Sequence, residues 1–149
     1  MKAIVQRVTD AAVFVNQKKH SSIESGYIIF LGVAKDDTVE DIKKLSEKII
    51  HLRINADENG KMNKSILESK GSILLISQFT LCSNIKGGRR PDFFPAMEPQ
   101  TAEKMYENFG ALLGQSGIPV QKGVFGAHMQ ISLTYDGPVT FFLDSKELS

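Results

Sequence analysis

Apolar and polar positions alternate along this chain with two different periods. Residues 2–8, KAIVQRV, and 11–16, AAVFVN, are rich in β-branched residues and are separated by a polar break at Thr9-Asp10, so each reads as a strand. Residues 26–34, GYIIFLGVA, form an almost unbroken apolar run, the pattern of a strand buried on both faces. Short connections between the three favour antiparallel pairing. From 36 to 54 the period lengthens. Val39, Ile42, Leu45, Ile49 and Leu52 recur at steps of three or four, which places them on one face of a helix. Asp37 stands where a cap is expected, and Glu40 three residues later fits a capping box.

The second half repeats the alternation. Residues 55–63, NADENGKMN, are polar with Asn59-Gly60 at the tip, the signal of a hairpin. Residues 71–81, GSILLISQFTL, read as a strongly apolar strand with a polar end at Ser77, Gln78 and Thr80. Residues 83–99 carry three prolines and the adjacent Gly87 and Gly88, so they form a loop. A second helix is expected over 100–117, with Ala102, Met105, Tyr106, Phe109 and Leu112 on one stripe and Gly114 and Gly117 as terminators. Residues 120–125, 129–135 and 138–144 read as three more short strands, the last opening on Gly137-Pro138. Glycine weakens a strand interior and proline cannot donate to a ladder, so the sheet is expected to begin after that pair. The pattern predicts one α/β domain over 1–149, with strands too closely connected for a doubly wound parallel sheet.

Composition narrows the function classes. The chain has 149 residues, 42% of them hydrophobic, and a net charge of +1. It can bury a core, and it lacks the global basic field of a general nucleic-acid binder, so any RNA contact rests on a local patch. Its one cysteine, Cys82, cannot form an intrachain disulfide, which fits a reducing cytoplasm. The apolar run at the start is too short for a signal peptide, and no stretch approaches membrane length.

Generic catalytic motifs are missing: there is no phosphate-binding glycine loop, no G-x-S-x-G and no H-E-x-x-H. His20, His51 and His128 share no metal-ligand spacing with one another or with Cys82. His128, in a strand-edge turn, could join a triad that meets only in space, though a structural or surface role is the plainer reading. Cys82 could be a nucleophile only if its pKa were lowered; a partly buried thiol is the simpler alternative. Lys86, Arg89 and Arg90 in KGGRRP form a basic loop with a pliant backbone, suited to phosphates and equally to plain solvent. Phe93 and Phe94 could stack on an unpaired base or fold back on the core. Thr80 could be a nucleophile or a hydrogen-bond donor, or the polar end of a strand.

Five segments taken together carry a resemblance. IVQRV near the start, SQFTL at 77–81, KGGRRPDF at 86–93, GVFGAHM at 123–129 and DGPVT at 136–140 are similar, in order and spacing, to the D-aminoacyl-tRNA deacylase (D-tyrosyl-tRNA(Tyr) deacylase) family. The resemblance runs almost end to end. It implies a small, mostly antiparallel β-barrel with two flanking helices, working as a homodimer without cofactor or metal. It implies hydrolysis of the ester between a D-amino acid and the 3′-terminal adenosine of tRNA, and clearance of mischarged glycine. By the same resemblance Ser77, Gln78, Phe79 and Thr80 line the aminoacyl-adenosine pocket, with Phe79 and Thr80 nearest the chemistry, and Met129 contacts substrate. Gly137 and Pro138 match a Gly-cisPro pair that reaches into the partner subunit's pocket, and Arg7 matches the arginine that supports it. Lys86, Arg89 and Arg90 are the RNA-facing candidates.

Such a pair can select by exclusion. A cis bond is accessible essentially only before proline, and glycine offers no side chain to obstruct approach. Two fixed carbonyl oxygens can accept from the substrate's ammonium and leave no volume where an L-substituent would project. The wrong enantiomer is repelled, many D-side chains are tolerated, and glycine leaks through because an absent group is hard to reject. For hydrolysis, Thr80 would need an activating base. The alternative is water attack assisted by the tRNA 2′-hydroxyl, with main-chain N–H groups near Phe79 and Thr80 holding the oxyanion. Three features depart from the family pattern: Tyr135 where Asn is common, Asp92 where a small hydroxyl residue is common, and CSN at 82–84. Two rival functions remain at this level, a catalytically silent RNA-binding dimer and a hydrolase of small esters.

Overall fold

The computed structural model describes residues 1–149. Its elements run β1 (Lys2–Val15), β2 (Lys18–Ile23), β3 (Gly26–Gly32), α1 (Val39–His51), β4 (Asn55–Ala56), β5 (Met62–Lys64), α2 (Ile66–Ser69), β6 (Ser72–Ser77), α3 (Pro99–Gln115), β7 (Val120–Lys122) and β8 (Gln130–Asp144). β1 is the axis of the sheet. Lys2–Val8 pairs antiparallel with β3, Ala11–Val15 pairs antiparallel with β2, and the opposite edge pairs antiparallel with β8. β3 and β6 are parallel, as are β6 and β7. Parallel neighbours need a long crossover, and α1 and α3 lie in those two connections. The sheet order β2-β1-β3-β6-β7 curls until its ends meet, where Ser21 Oγ donates to Lys122 O at 2.8 Å. The mostly antiparallel, barrel-like sheet expected from the sequence is the observed one. No helix is long and apolar enough to cross a membrane.

Several elements differ from the sequence expectation, each for a physical reason. Residues 2–8 and 11–16 are one strand, not two. Val8 pairs with Tyr135 and Asp10 with Thr134, so Thr9 is the extra residue of a β-bulge, which bends a strand without ending it. The bulge also shifts the side-chain phase. Ala3 and Val5 enter one apolar cluster and Val8, by alternation, the other, and past the bulge Ala11 and Val13 stay on Val8's side. β8 is likewise one strand that runs through Gly137-Pro138 rather than starting after it. The apolar stretch 71–81 ends as a strand at Ser77, and Phe79–Cys82 turn into a short 3₁₀ segment. The N-cap of α1 is Thr38 rather than Asp37, with its N–H and hydroxyl donating to Asp41 Oδ2 at 2.8 and 3.0 Å. The strand at Lys18–Ile23 and the one-turn α2 had no clear periodic signal, and α2 makes the helices three rather than two.

Two cores hang on this frame. Between the sheet and the helices lie Ala3, Tyr27, Ile29, Leu45, Ile49 and Phe109 among others; inside the curl lie Val8, Val13, Ile28, Leu74 and Ile76. Their buried polar atoms are paired: Asn55 Nδ2 donates to Tyr27 Oη at 2.5 Å, and Tyr106 Oη donates to Leu75 O at 2.8 Å. Gly26, at φ +155°, is obligatory, because a Cβ there would fall 1.8 Å from Ser72 O across the β3–β6 pair.

The end of β8 is tied to the start of α1. Ser145 Oγ donates to Asp41 Oδ1 at 2.8 Å and Lys146 Nζ to Asp41 Oδ2 at 3.0 Å. Burial alone would raise the Asp41 carboxyl, but hydrogen bonds from Ser145, Thr38 and Lys146 outweigh it and hold it well below the usual carboxylate range. A lowered folded-state pKa stabilises fully above the unfolded aspartate value, roughly pH 4, and the stabilisation is lost as pH falls through the lowered value. Asp41→Asn is therefore expected to lower stability at pH 7 by about 1–3 kcal/mol and to shrink the stability difference between pH 7 and pH 3. Urea midpoints at the two pH values check this; an unchanged difference in the variant refutes it.

Candidate active site

A largely apolar hollow of about 650 Å³ opens between the C-terminal end of β6, the start of α3 and the turn before β8. Ser77, Gln78, Phe79 and Met129 all line it. Their placement follows from the end of β6. Ser77 is the last paired residue, opposite Leu31, and Gln78 N–H still donates to Leu31 O at 2.8 Å. The chain then tightens into the Phe79–Cys82 turn, whose first N–H groups, those of Phe79 and Thr80, have no partner within the turn. Phe79 is 57% exposed and meets Phe93 edge-on, with ring centroids 4.8 Å apart. Met129 reaches the cavity over Gly123, where a Cβ would fall 2.6 Å from Met129 Sδ.

Thr80 is exposed beside this hollow, and Gln78 Nε2 donates to its Oγ1. An amide is no base, and neither a carboxylate nor an imidazole hydrogen-bonds Thr80 in the structure. The one acid lining the cavity, Glu98, caps α3. It accepts from Thr101 N at 2.6 Å and Gln100 N at 3.0 Å, and also from the Thr101 hydroxyl. These bonds, the Thr101 side chain foremost, hold its carboxyl below the usual range and occupy both oxygens. Glu98, His128 and Phe125 also line the cavity, and sequence reasoning misses them as pocket residues. The available signal is GVFGAHM, of which only Met129 points to the pocket on sequence alone. No three His, Cys, Asp or Glu side chains cluster as metal ligands would.

Arg7, Gly137 and Pro138 lie elsewhere. Gln6 pairs with Thr140 and Val8 with Tyr135, so Arg7 alone faces the four residues Asp136–Val139. The surplus bows out as a loop within β8, with its Gly137–Pro138 peptide cis and both residues exposed. Arg7 holds the loop's base. Its Nε lies 2.9 Å from Asp136 Oδ2 and donates to Asp136 O at 3.3 Å, while Nη1 donates to Ile54 O at 2.7 Å. None of the three lines the 650 Å³ hollow of their own chain.

Lys86, Arg89 and Arg90 are exposed on a loop pinched at its neck. Asn84 and Asp92 exchange backbone hydrogen bonds at 2.8 and 3.0 Å, and Asn84 Nδ2 donates to Asp92 Oδ2 at 2.9 Å. Two of the departures from the family pattern are thus partners of one another. Phe93 anchors the loop to Phe79, and Phe94 lies under Lys35, 3.2 Å from ring centroid to Nζ.

The comparisons with known proteins decide the family. Residues 4–144 match the family described as D-Tyr-tRNA(Tyr) deacylase. The chain belongs to this family. A D-aminoacyl-tRNA deacylase of Bacillus pumilus is 50% identical over 147 residues, covering 99% of this chain and 100% of the relative. One of Thermosipho africanus is 51% identical over 148 residues, covering 99% of each. Among solved structures, a c-Myc DNA unwinding element binding protein superposes with a TM-score of 0.92 at 40% identity, over 97% of this chain and 98% of that one. A probable eukaryotic D-amino acid tRNA deacylase shares the fold, with a TM-score of 0.81 at 17% identity over 95% and 97% of the two chains.

Within this deacylase fold Cys82 has no chemical part. It is 1% exposed, and burial pushes its thiol up, against the demand on a nucleophile. Cys82→Ala is expected to keep kcat within about twofold, and the native thiol to resist an aromatic disulfide reagent until the protein is unfolded. Rapid labelling of the native protein, or a variant without activity, contradicts this.

Proposed function

We propose that this member of the deacylase family hydrolyses the ester joining a D-amino acid to the 3′-terminal adenosine of tRNA, and clears glycine mischarged on tRNA. It does so in the cytoplasm as a homodimer, in which Gly137 and Pro138 of one subunit close the cavity of the other. One observation carries the reading. Ser77, Gln78, Phe79 and Met129 line an apolar cavity of about 650 Å³, within the range that holds small ligands, while Gly137 and Pro138 stand outside it on a projecting loop that Arg7 of β1 holds at its base. A second copy is the simplest source of the missing wall. β8 supports this, because its outer edge has no strand partner and carries Phe142, 56% exposed, a combination that invites a protein neighbour.

In this site the carbonyl oxygens of the inserted loop accept from the substrate's ammonium group and fill the space an L-side chain would need. Water adds to the ester carbonyl, the oxyanion is held by the N–H groups of Phe79 and Thr80, and the 3′-oxygen leaves with a proton. The products are free D-amino acid and tRNA. With only the Gln78 amide on Thr80, the 2′-hydroxyl of the terminal adenosine is the better assistant to the attacking water. The basic loop takes the tRNA backbone.

Wild type is expected to hydrolyse D-aminoacyl-tRNA far faster than the matched L-form; equal rates defeat the chiral reading. Thr80→Ala is expected to stay within about tenfold of wild-type kcat, since losing a true nucleophile costs on the order of 10⁴-fold or more. Transfer RNA ending in 2′-deoxyadenosine is expected to be nearly inert, and retained turnover on it would sink the RNA-assisted route. Replacing Lys86, Arg89 and Arg90 with alanine is expected to raise KM and flatten its salt dependence, by about 0.7–0.9 in log–log slope for each phosphate no longer neutralised. An unchanged slope would leave the small-ester hydrolase as the better reading.

A further inference from the structure

Arg7 grips only one side of the projecting loop. The other side is covered by Tyr135, the residue that stands where the family pattern has Asn. A Cβ built on Gly137 would fall 2.5 Å from Cε1 and 2.6 Å from Cζ of the Tyr135 ring, far inside the roughly 3.5–4.0 Å of a normal carbon contact. The ring therefore occupies the space that any side chain at 137 would need. It is also tethered. Thr140 Oγ1 donates to Tyr135 Oη at 2.7 Å, and Gln6 Nε2 donates to Thr140 Oγ1 at 3.2 Å. Gln6–Thr140 and Val8–Tyr135 are the cross-strand pairs on either side of the loop. One chain of side-chain hydrogen bonds thus joins both ends of the loop, across from the Arg7 grip.

We propose that Tyr135 is a positioning residue for the Gly137-Pro138 loop and sets how strictly L-aminoacyl substrates are refused. This rests on the reading of that loop as the chiral selector. Glycine has more backbone freedom than any other residue, and a selector that works by filled volume fails when that volume moves. Tyr135 removes the freedom from one side by contact, as Arg7 does from the other by charge. The acceleration of the D-ester comes from the end of β6, which Tyr135 does not touch, so its loss bears on selectivity more than on D-turnover. The side chain is 43% exposed, so truncating it leaves both cores intact.

The test is kcat/KM on matched D- and L-aminoacyl-tRNA for wild type, Tyr135→Ala, Tyr135→Phe and Thr140→Val, with thermal unfolding in parallel. Tyr135→Ala is expected to lower the D-to-L ratio on the order of tenfold, chiefly through faster L-hydrolysis. Tyr135→Phe and Thr140→Val, which keep the ring but cut its tether, are expected to lower it about two- to fivefold. They also keep the proposal falsifiable if the alanine variant fails to fold. A high wild-type ratio that all three variants preserve overturns the positioning role and leaves the loop as selector. A wild-type ratio near one overturns the selector reading and this proposal with it. A drop in melting temperature with an unchanged ratio shows a purely structural tyrosine and also overturns it.

Discussion

Strands β1 and β8 hold register over most of their length and lose it in two places, by one residue at the Thr9 bulge and by more opposite Arg7. The Arg7 grip and the Tyr135–Thr140–Gln6 chain are both built around the larger mismatch, opposite Arg7. A loop between two strands could take many conformations. A four-residue bow between the paired Gln6–Thr140 and Val8–Tyr135 has both ends fixed by ladder hydrogen bonds, so the entropy of ordering it is met largely by the sheet. Val139, 3% exposed, then drives the outgoing arm back into the helix-side core. The loop is exposed, but it is not free.

The smaller irregularity, at Thr9, explains how one chain serves two cores. Val8 faces the inside of the curl by simple alternation from Ala3 and Val5, which face the helices, and the extra residue at Thr9 turns the second half of β1 so that Ala11 and Val13 stay on the inside with it. β8 follows, with Ile131 and Leu133 packed on the inner cluster and Phe141 and Leu143 on the outer one. A one-residue shift of register swaps the faces of a strand. The bulge and the bow together let two long strands line the barrel at one end and support the helices at the other.

What was legible in the sequence was local and periodic. The apolar run over Gly26–Gly32 and the stripe Ile42, Leu45 and Ile49 are short-range patterns, and burial enforces them. What was not legible depends on a distant partner. A polar pair inside a β-rich stretch looks the same whether it ends a strand or bulges it, so Thr9-Asp10 reads as a break. Gly137-Pro138 looks like a strand start because only the opposing Arg7 shows that the strand continues past it. Asn84 and Asp92 stand out separately as unusual residues, and only their hydrogen bonds to each other explain both. Tyr135 is the sharpest case. Its identity is visible in the sequence, but the ring's contact with Gly137 and its tether through Thr140 to Gln6 exist only once the bow is folded.

The chemistry that remains after these assignments is spare. Cys82 is buried with its thiol pushed up, Glu98 spends both oxygens on a helix cap, and Thr80 receives only an amide. With Cys82, Glu98 and Thr80 so placed, the site on the proposed reading depends on backbone N–H groups, carbonyls and excluded volume, and these demand rigidity rather than reactive groups. Rigidity is what the fold supplies: a 3₁₀ turn fixed to β3 through Gln78 on one side, a bow fixed to β1 through Arg7 on the other. Each half is finished within a single chain, because both cores close without help. The two halves stand apart in that chain, so the complete selective wall, on the proposed reading, belongs to the pair. A subunit that folded well and associated poorly would then keep its architecture and lose its discrimination.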